Sequence, residues 1–282
     1  MEILLLCATI FGTSIQSVLK KVYNRRASSG VFIFSALTVL CAAVFFFATA
    51  EHPLVFTGEL VPYSLGFAAA YAAASIFGML AIYEGSLSLT SLATSYSLLI
   101  PTLWGLFFYK DEASIWFFVG LLLLLVSLLL INSKGGEIKI TPKWVLYVLL
   151  AFLGNGICST VQTGFAKAYS GVGKSEFMII ALLVVFAVML ISSVITDKGG
   201  IIPSLKSSWY LMVLCGVANG AVNLFVILLS QTMNTSLMFP LISAGGIVLT
   251  SLVSIFIYKE KLSLLQYIGM VLGIGAIVFM SI

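Results

Sequence analysis

Long apolar runs broken by short polar clusters set the pattern of this chain. A spanning helix needs about 20 mostly apolar residues. Runs of that kind lie near 2–22, 30–50, 62–83, 88–108, 113–132, 143–166, 174–196, 208–230, 234–257 and 263–282. The breaks carry turn chemistry: Glu51-His52-Pro53, Ser133-Lys134-Gly135-Gly136 and Asp197-Lys198-Gly199-Gly200. The pattern therefore predicts an all-α membrane protein of ten transmembrane helices. Met1 leads straight into the first apolar run without a basic n-region, so a cleaved signal peptide is not expected.

The pattern is also written twice. Thr13-Ser14-Ile15-Gln16-Ser17, followed by Lys21 and Tyr23, returns as Ser159-Thr160-Val161-Gln162-Thr163, followed by Lys167 and Tyr169, at an offset of 146. Thr90-Ser91-Leu92 returns as Thr235-Ser236-Leu237. Tyr109-Lys110-Asp111 with Ser114 and Gly120 returns as Tyr258-Lys259-Glu260 with Ser263 and Gly269, at an offset of 149. Three matches in order at nearly constant offset imply a duplicated unit: a first five-helix repeat over 1–132, a linker over 133–142 and a second repeat over 143–282. Five is odd, so the second copy enters the membrane from the opposite side. The expected architecture is two inverted five-helix repeats, a plan that transporters use.

Composition narrows the class. The chain is 61% hydrophobic and 9% charged, with a mean hydropathy of +1.18. Soluble domains carry about 25% charged residues, so the net charge of +4 is read by its placement and not as a nucleic-acid footprint. The loop after span 1 holds Lys20, Lys21, Arg25 and Arg26, and its side receives seven further lysines, against Lys110, Lys167 and Lys174 opposite. That bias puts this loop in the cytoplasm and both termini outside, in a cytoplasmic (inner) membrane. Cys7, Cys41, Cys158 and Cys215 all fall within spans without CxxC spacing, and the sole histidine, His52, lies in a loop. A metal site and a histidine-based triad lack their parts, and no cofactor is expected.

The stretch Ala81-Ile82-Tyr83-Glu84-Gly85-Ser86-Leu87, then Leu98-Leu99-Ile100-Pro101, then Tyr109-Lys110-Asp111-Glu112 resembles the EamA domain of the drug/metabolite transporter superfamily. In the second half Phe239-Pro240-Leu241, Tyr258-Lys259-Glu260-Lys261-Leu262-Ser263, Gln266, Gly269 and Gly273 carry the same resemblance, which covers the whole chain. Lysine stands at 110 and 259 where that family often has glycine. The resemblance implies transport of small metabolites or drugs and does not name the substrate.

Candidate site residues are uncharged, because an ionised side chain at mid-membrane costs at least about 2.5–3.5 kcal/mol and none is placed there. In span 6, Asn155, Ser159 and Gln162 recur at i, i+4 and i+7 on one face. Thr13 and Gln16 form a similar stripe in span 1, with Gln16 at the repeat position of Gln162, and span 8 adds Asn219 and Asn223. These amides either bond helix to helix or line a substrate cavity, and the paired glutamines raise the cavity reading level with the first. Tyr71, Tyr96 and Trp104 lie in spans 3 and 4, where the resemblance places cavity walls. Pro101 and Pro240 each free a backbone carbonyl inside a span and are read as hinges. Glu84, at the end of span 3, is the candidate for coupling to protons.

The expected function is secondary active transport of a small neutral or zwitterionic, amino acid-like solute by alternating access. The alternatives are import of a neutral nutrient such as a nucleobase or sugar, export of drugs or organic cations, and, more distantly, an enzyme acting on lipid-linked substrates. The chain lacks a G-x-x-x-x-G-K-[ST] motif, so ATP is not the expected energy source. Expected partners are the solute and membrane lipid; the Gly269-xxx-Gly273 face of the last helix is read first as packing within the chain and second as a seam with another copy in a homodimer.

Overall fold

The computed structural model describes residues 1–26, 30–84, 87–131, 141–256 and 263–282. Lys134, Lys139 and most of the linker, Gly85-Ser86, and the block Tyr258-Lys259-Glu260-Lys261-Leu262 lie outside the described residues. Among those described there is no strand. Apolar chain in hydrocarbon must satisfy every backbone group within its own segment, and the helix does so. Eleven α-helices are described: α1 (Glu2–Arg26), α2 (Val31–Thr49), α3 (Leu60–Glu84), α4 (Leu87–Ser95), α5 (Leu99–Phe108), α6 (Ile115–Ile131), α7 (Pro142–Ala168), α8 (Lys174–Thr196), α9 (Ile201–Thr232), α10 (Thr235–Phe256) and α11 (Leu264–Met280).

Eight helical stretches are long and apolar enough to cross a membrane, with α4 and α5 counting as one stretch (Thr90–Phe108). The protein is thus helical, with the lengths of a multi-pass membrane protein. Helices α6 and α11 are apolar but 17 residues each, about 25 Å at 1.5 Å per residue. Two departures from the sequence pattern stand out. A 3-10 turn at Tyr96–Leu98 divides span 4 just before Pro101. Span 8 begins at Ile201 and not near 208, because Pro203 falls in the first helical turn, where a missing N–H breaks no bond.

The chain forms two compact units. The first comprises Met1–Ala72 and Val161–Gln231. Here α2 packs antiparallel to α8, and each starts after a glycine in the left-handed region, Gly30 (φ 86) and Gly173 (φ 72). The Tyr23 hydroxyl donates to the Gly30 carbonyl at 2.6 Å. Asp197, at the end of α8, accepts from the Ile33 N–H at 2.8 Å and from Ser193 Oγ at 3.0 Å, which places a carboxylate at the positive end of the α2 dipole. Gly216 and Gly220 of α9 lie on α2: a Cβ at Gly216 would sit 2.6 Å from the Thr38 carbonyl, and one at Gly220 2.6 Å from Phe45. Phe67, Phe165 and Phe177 are fully buried, the last two stacked with centroids 4.2 Å apart.

The second unit comprises Ala73–Thr160 and Thr232–Ile282. Its α6 and α11 run antiparallel, each bringing a glycine from its first half onto the last turns of the other. Gly120 meets Ala276 and Met280, and Gly269 meets Ser127, Leu130 and Ile131. Ser127 Oγ donates to the Gly269 carbonyl at 2.6 Å, and Gln266 Nε2 to the Ile131 carbonyl at 3.1 Å. The Gly269-xxx-Gly273 pattern is thus packed on α6 of the same chain. Ser114 and Ser263, at matching repeat positions, both cap: Ser114 Oγ accepts from Phe117 N–H, and Ser263 forms a capping box with Gln266.

Helix α10 packs on α5, and its start is held by Asp111, whose Oδ2 accepts from the Ser236 N–H at 2.8 Å. Asp111→Ala should lower stability by about 1 kcal/mol, the value of a lost helix-start acceptor. Equilibrium unfolding of the purified variant checks this; a loss below the error of the method would mean that water replaces the carboxylate.

Candidate functional site

Four of the amides singled out by spacing meet in the first unit. Gln16 on α1, Gln162 on α7, and Asn219 and Asn223 on α9 are 7%, 5%, 8% and 9% exposed. Gln162 Nε2 donates to Asn223 Oδ1 at 3.1 Å. Asn223 Nδ2 donates to Asn219 Oδ1 at 3.1 Å, and Asn219 Nδ2 to Gln16 Oε1 at 3.1 Å. The side chains form one head-to-tail chain running from Gln162 to Gln16.

Its direction is fixed by the backbone. A carboxamide can ordinarily be turned end for end, but a backbone carbonyl only accepts. Gln162 Nε2 also reaches the Asn223 carbonyl at 3.1 Å, and Asn223 Nδ2 the Asn219 carbonyl at 2.9 Å. Neither amide can flip without setting two acceptors face to face. Gln16 Nε2 makes only a long contact, 3.5 Å, with the Ala218 carbonyl. The Gln162 carboxamide oxygen accepts from no described residue. The chain therefore ends in an open acceptor at Gln162 and a weakly used donor at Gln16. Such a site can exchange internal hydrogen bonds with a polar, uncharged group and offers no fixed charge.

The remaining candidates are distributed differently. Thr13 Oγ1 bonds its own helix at the Ile10 carbonyl, 2.9 Å. Tyr71 lies 5.8 Å from Phe67 between ring centroids and so adjoins the aromatic core of the first unit. In the second unit Tyr96 donates its hydroxyl to the Leu125 carbonyl at 2.7 Å. Trp104 is exposed and stacks on Phe108 at 4.0 Å. Asn155 is half-buried, and its carbonyl accepts from Ser159 Oγ at 3.2 Å. Pro101 and Pro240 are both buried, but α10 runs unbroken through Pro240 while the 3-10 turn precedes Pro101. Glu84 is exposed at the end of α3, where it accepts from Thr141 Oγ1 at 3.2 Å; that hydroxyl also caps α7 through the Trp144 N–H at 3.1 Å. If Glu84 gates proton coupling, Glu84→Gln changes the pH profile of transport, and an unchanged profile removes it from that role.

The spacing of polar residues did not point to a cavity of about 620 Å³ in the first unit, lined by Glu51, Glu59, Tyr169, Lys174 and Glu176 among others. Glu176 accepts there from the Val55 N–H at 3.0 Å, and Lys174 Nζ lies 3.9 Å from Glu51. Desolvation first, then Glu59 and Tyr63, push the Tyr169 hydroxyl above the ordinary tyrosine range. Among the described residues no three His, Cys, Asp or Glu side chains come together as metal ligands.

No protein-family model matches the chain, and no curated protein matches it in sequence. A solved structure described as "Crystal structure of protein" is similar over 98% of this chain and 94% of its own, with a TM-score of 0.79 and 16% sequence identity. At that identity the likeness is one of fold.

Proposed function

We propose that the chain is a secondary transporter of the drug/metabolite type, with ten spans in two inverted five-helix repeats. The observation that carries this reading is the pairing of helices that occupy the same place in the two sequence repeats. The second spans pair (α2 with α8), as do the fourth (α5 with α10) and the fifth (α6 with α11). Reciprocal contacts at Gly120 and Gly269 support a two-fold relation between copies that enter the membrane from opposite sides. The lysine and arginine bias supports termini outside a cytoplasmic membrane.

The solute is a small neutral or zwitterionic molecule, amino acid-like, and it meets the four-amide chain. Uncharged amides with one open acceptor and one weakly used donor favour a solute that carries both donors and acceptors without net charge over an anion such as a phosphate. Energy comes from a solute or ion gradient, and no covalent chemistry is assigned to the chain.

Purified protein in vesicles, loaded with labelled amino acids, nucleobases or sugars, tests the reading. Gradient-dependent flux of one class is the expected result, and Gln16→Ala and Gln162→Ala should each lower it with membrane abundance kept. Flux by neither parent nor variants for any class tried, in vesicles whose protein binds none of them, would sink the transporter reading.

A further inference from the structure

We infer that the end of the first unit where α1 stops and α9 starts is a binding site for the headgroup of an acidic phospholipid. Helix α9 has 32 residues, about 48 Å at 1.5 Å per residue, against about 30 Å of hydrocarbon. Its first turns therefore extend beyond the apolar layer. Trp209 is 60% exposed and adjoins half-buried Tyr210; tryptophan and tyrosine settle at headgroup level, which sets the depth. Lys206 lies one turn further out on the face of Tyr210.

Arg26, the last residue of α1, donates through Nη1 to the Tyr210 hydroxyl. That hydroxyl accepts from Arg26, which leaves its own proton to donate. A guanidinium and a phenol O–H thus meet, with an ammonium one turn further out on the same helix face, and all three are donors suited to phosphodiester oxygens. Arg26 and Lys206 are exposed, and no carboxylate pairs with either among the described residues. The acid at this end, Asp197, spends its Oδ2 on Ile33 and Ser193. Lys20, exposed on α1, adds to the same charge. Below the cations Trp209, Val213 and Leu214 are exposed apolar surface on α9, 60%, 39% and 54%, beside which an acyl chain can lie. Charge complementarity selects an anionic headgroup, and the aromatic depth marker selects a lipid over a soluble phosphate.

Native mass spectrometry of the detergent-purified full chain, titrated with short-chain phosphatidylglycerol, phosphatidylcholine or inorganic phosphate, tests this. Phosphatidylglycerol should be retained selectively, and the double variant R26Q/K206Q should weaken its retention about thirtyfold, at about fivefold per basic residue, with phosphatidylcholine unchanged. If the double variant cannot be purified, Lys206→Gln alone carries the test with about a fivefold loss. Equal retention of the two lipids, unchanged phosphatidylglycerol retention in the variant, or competition by inorganic phosphate at equal concentration would overturn the assignment.

Discussion

Gly216→Leu should leave little folded protein to extract from the membrane. The Thr38 carbonyl, 2.6 Å from where a Cβ would sit, belongs to the backbone of α2 and cannot swing aside as a flexible side chain can. Relief requires α2 to move away from α9, and α2 is held by α8 along its length and by Asp197 at its start. Leucine raises intrinsic helix propensity by about 0.8 kcal/mol over glycine, but overpacking a tight interface costs about 1–3 kcal/mol and more when backbone must shift. The clash wins. Gly216→Leu combined with Gly220→Leu, against Phe45 at 2.6 Å, should exceed about 3 kcal/mol, the upper end of what single substitutions ordinarily cost. Gly58, with nothing within 4 Å of its added Cβ, supplies the control, since Gly58→Ala should change the melting temperature by less than the error. Thermal unfolding in detergent and the yield of monodisperse protein read both. A Gly216→Leu protein that melts with the parent would show that α9 does not rest on α2 in the membrane.

Helix positions were legible because the hydrophobic period and turn residues act locally. Gly30, Gly173 and Ser263 start helices where the chain itself supplies the stop or cap. Gly269 was legible as a close-contact position, but its partner was not, because spacing names a face and not its neighbour. The capping carboxylates were invisible for the same reason. Asp111 serves a helix start 125 residues away, and Asp197 one 164 residues away. The start of α9 was misplaced since Pro203 and Lys206 have loop composition, yet a proline in a first turn costs the helix nothing. At the candidate site the i, i+4 spacing put Asn219 and Asn223 on one face. That these amides would bond Gln16 and Gln162, and not stand apart around an open space, depends on how α1 and α7 approach α9.

Asn223→Leu should cost more stability than any other single substitution in the amide chain, and Gln16→Leu the least. Asn223 makes three side-chain hydrogen bonds, one accepted from Gln162 and two donated to Asn219. Gln16 makes one firm bond, accepted from Asn219 at 3.1 Å, and one long one at 3.5 Å. At about 0.6 kcal/mol per hydrogen bond within a membrane protein, the expected losses are about 2 kcal/mol and about 0.6 kcal/mol. The ends share no direct partner, and polarisation along the chain adds only about 10–30% per bond. Gln16→Leu and Gln162→Leu should therefore add within about 0.5 kcal/mol. Flux separates a brace from a binding site. A brace loses transport in proportion to stability, so Gln16→Leu would transport nearly as well as the parent. A solute that takes over the chain's hydrogen bonds needs both ends, so Gln16→Leu should lose as much flux as Asn223→Leu despite its smaller stability cost. We expect the second pattern, because the weak Gln16 contact and the open Gln162 acceptor leave hydrogen-bonding capacity at the two positions that the sequence repeat makes equivalent.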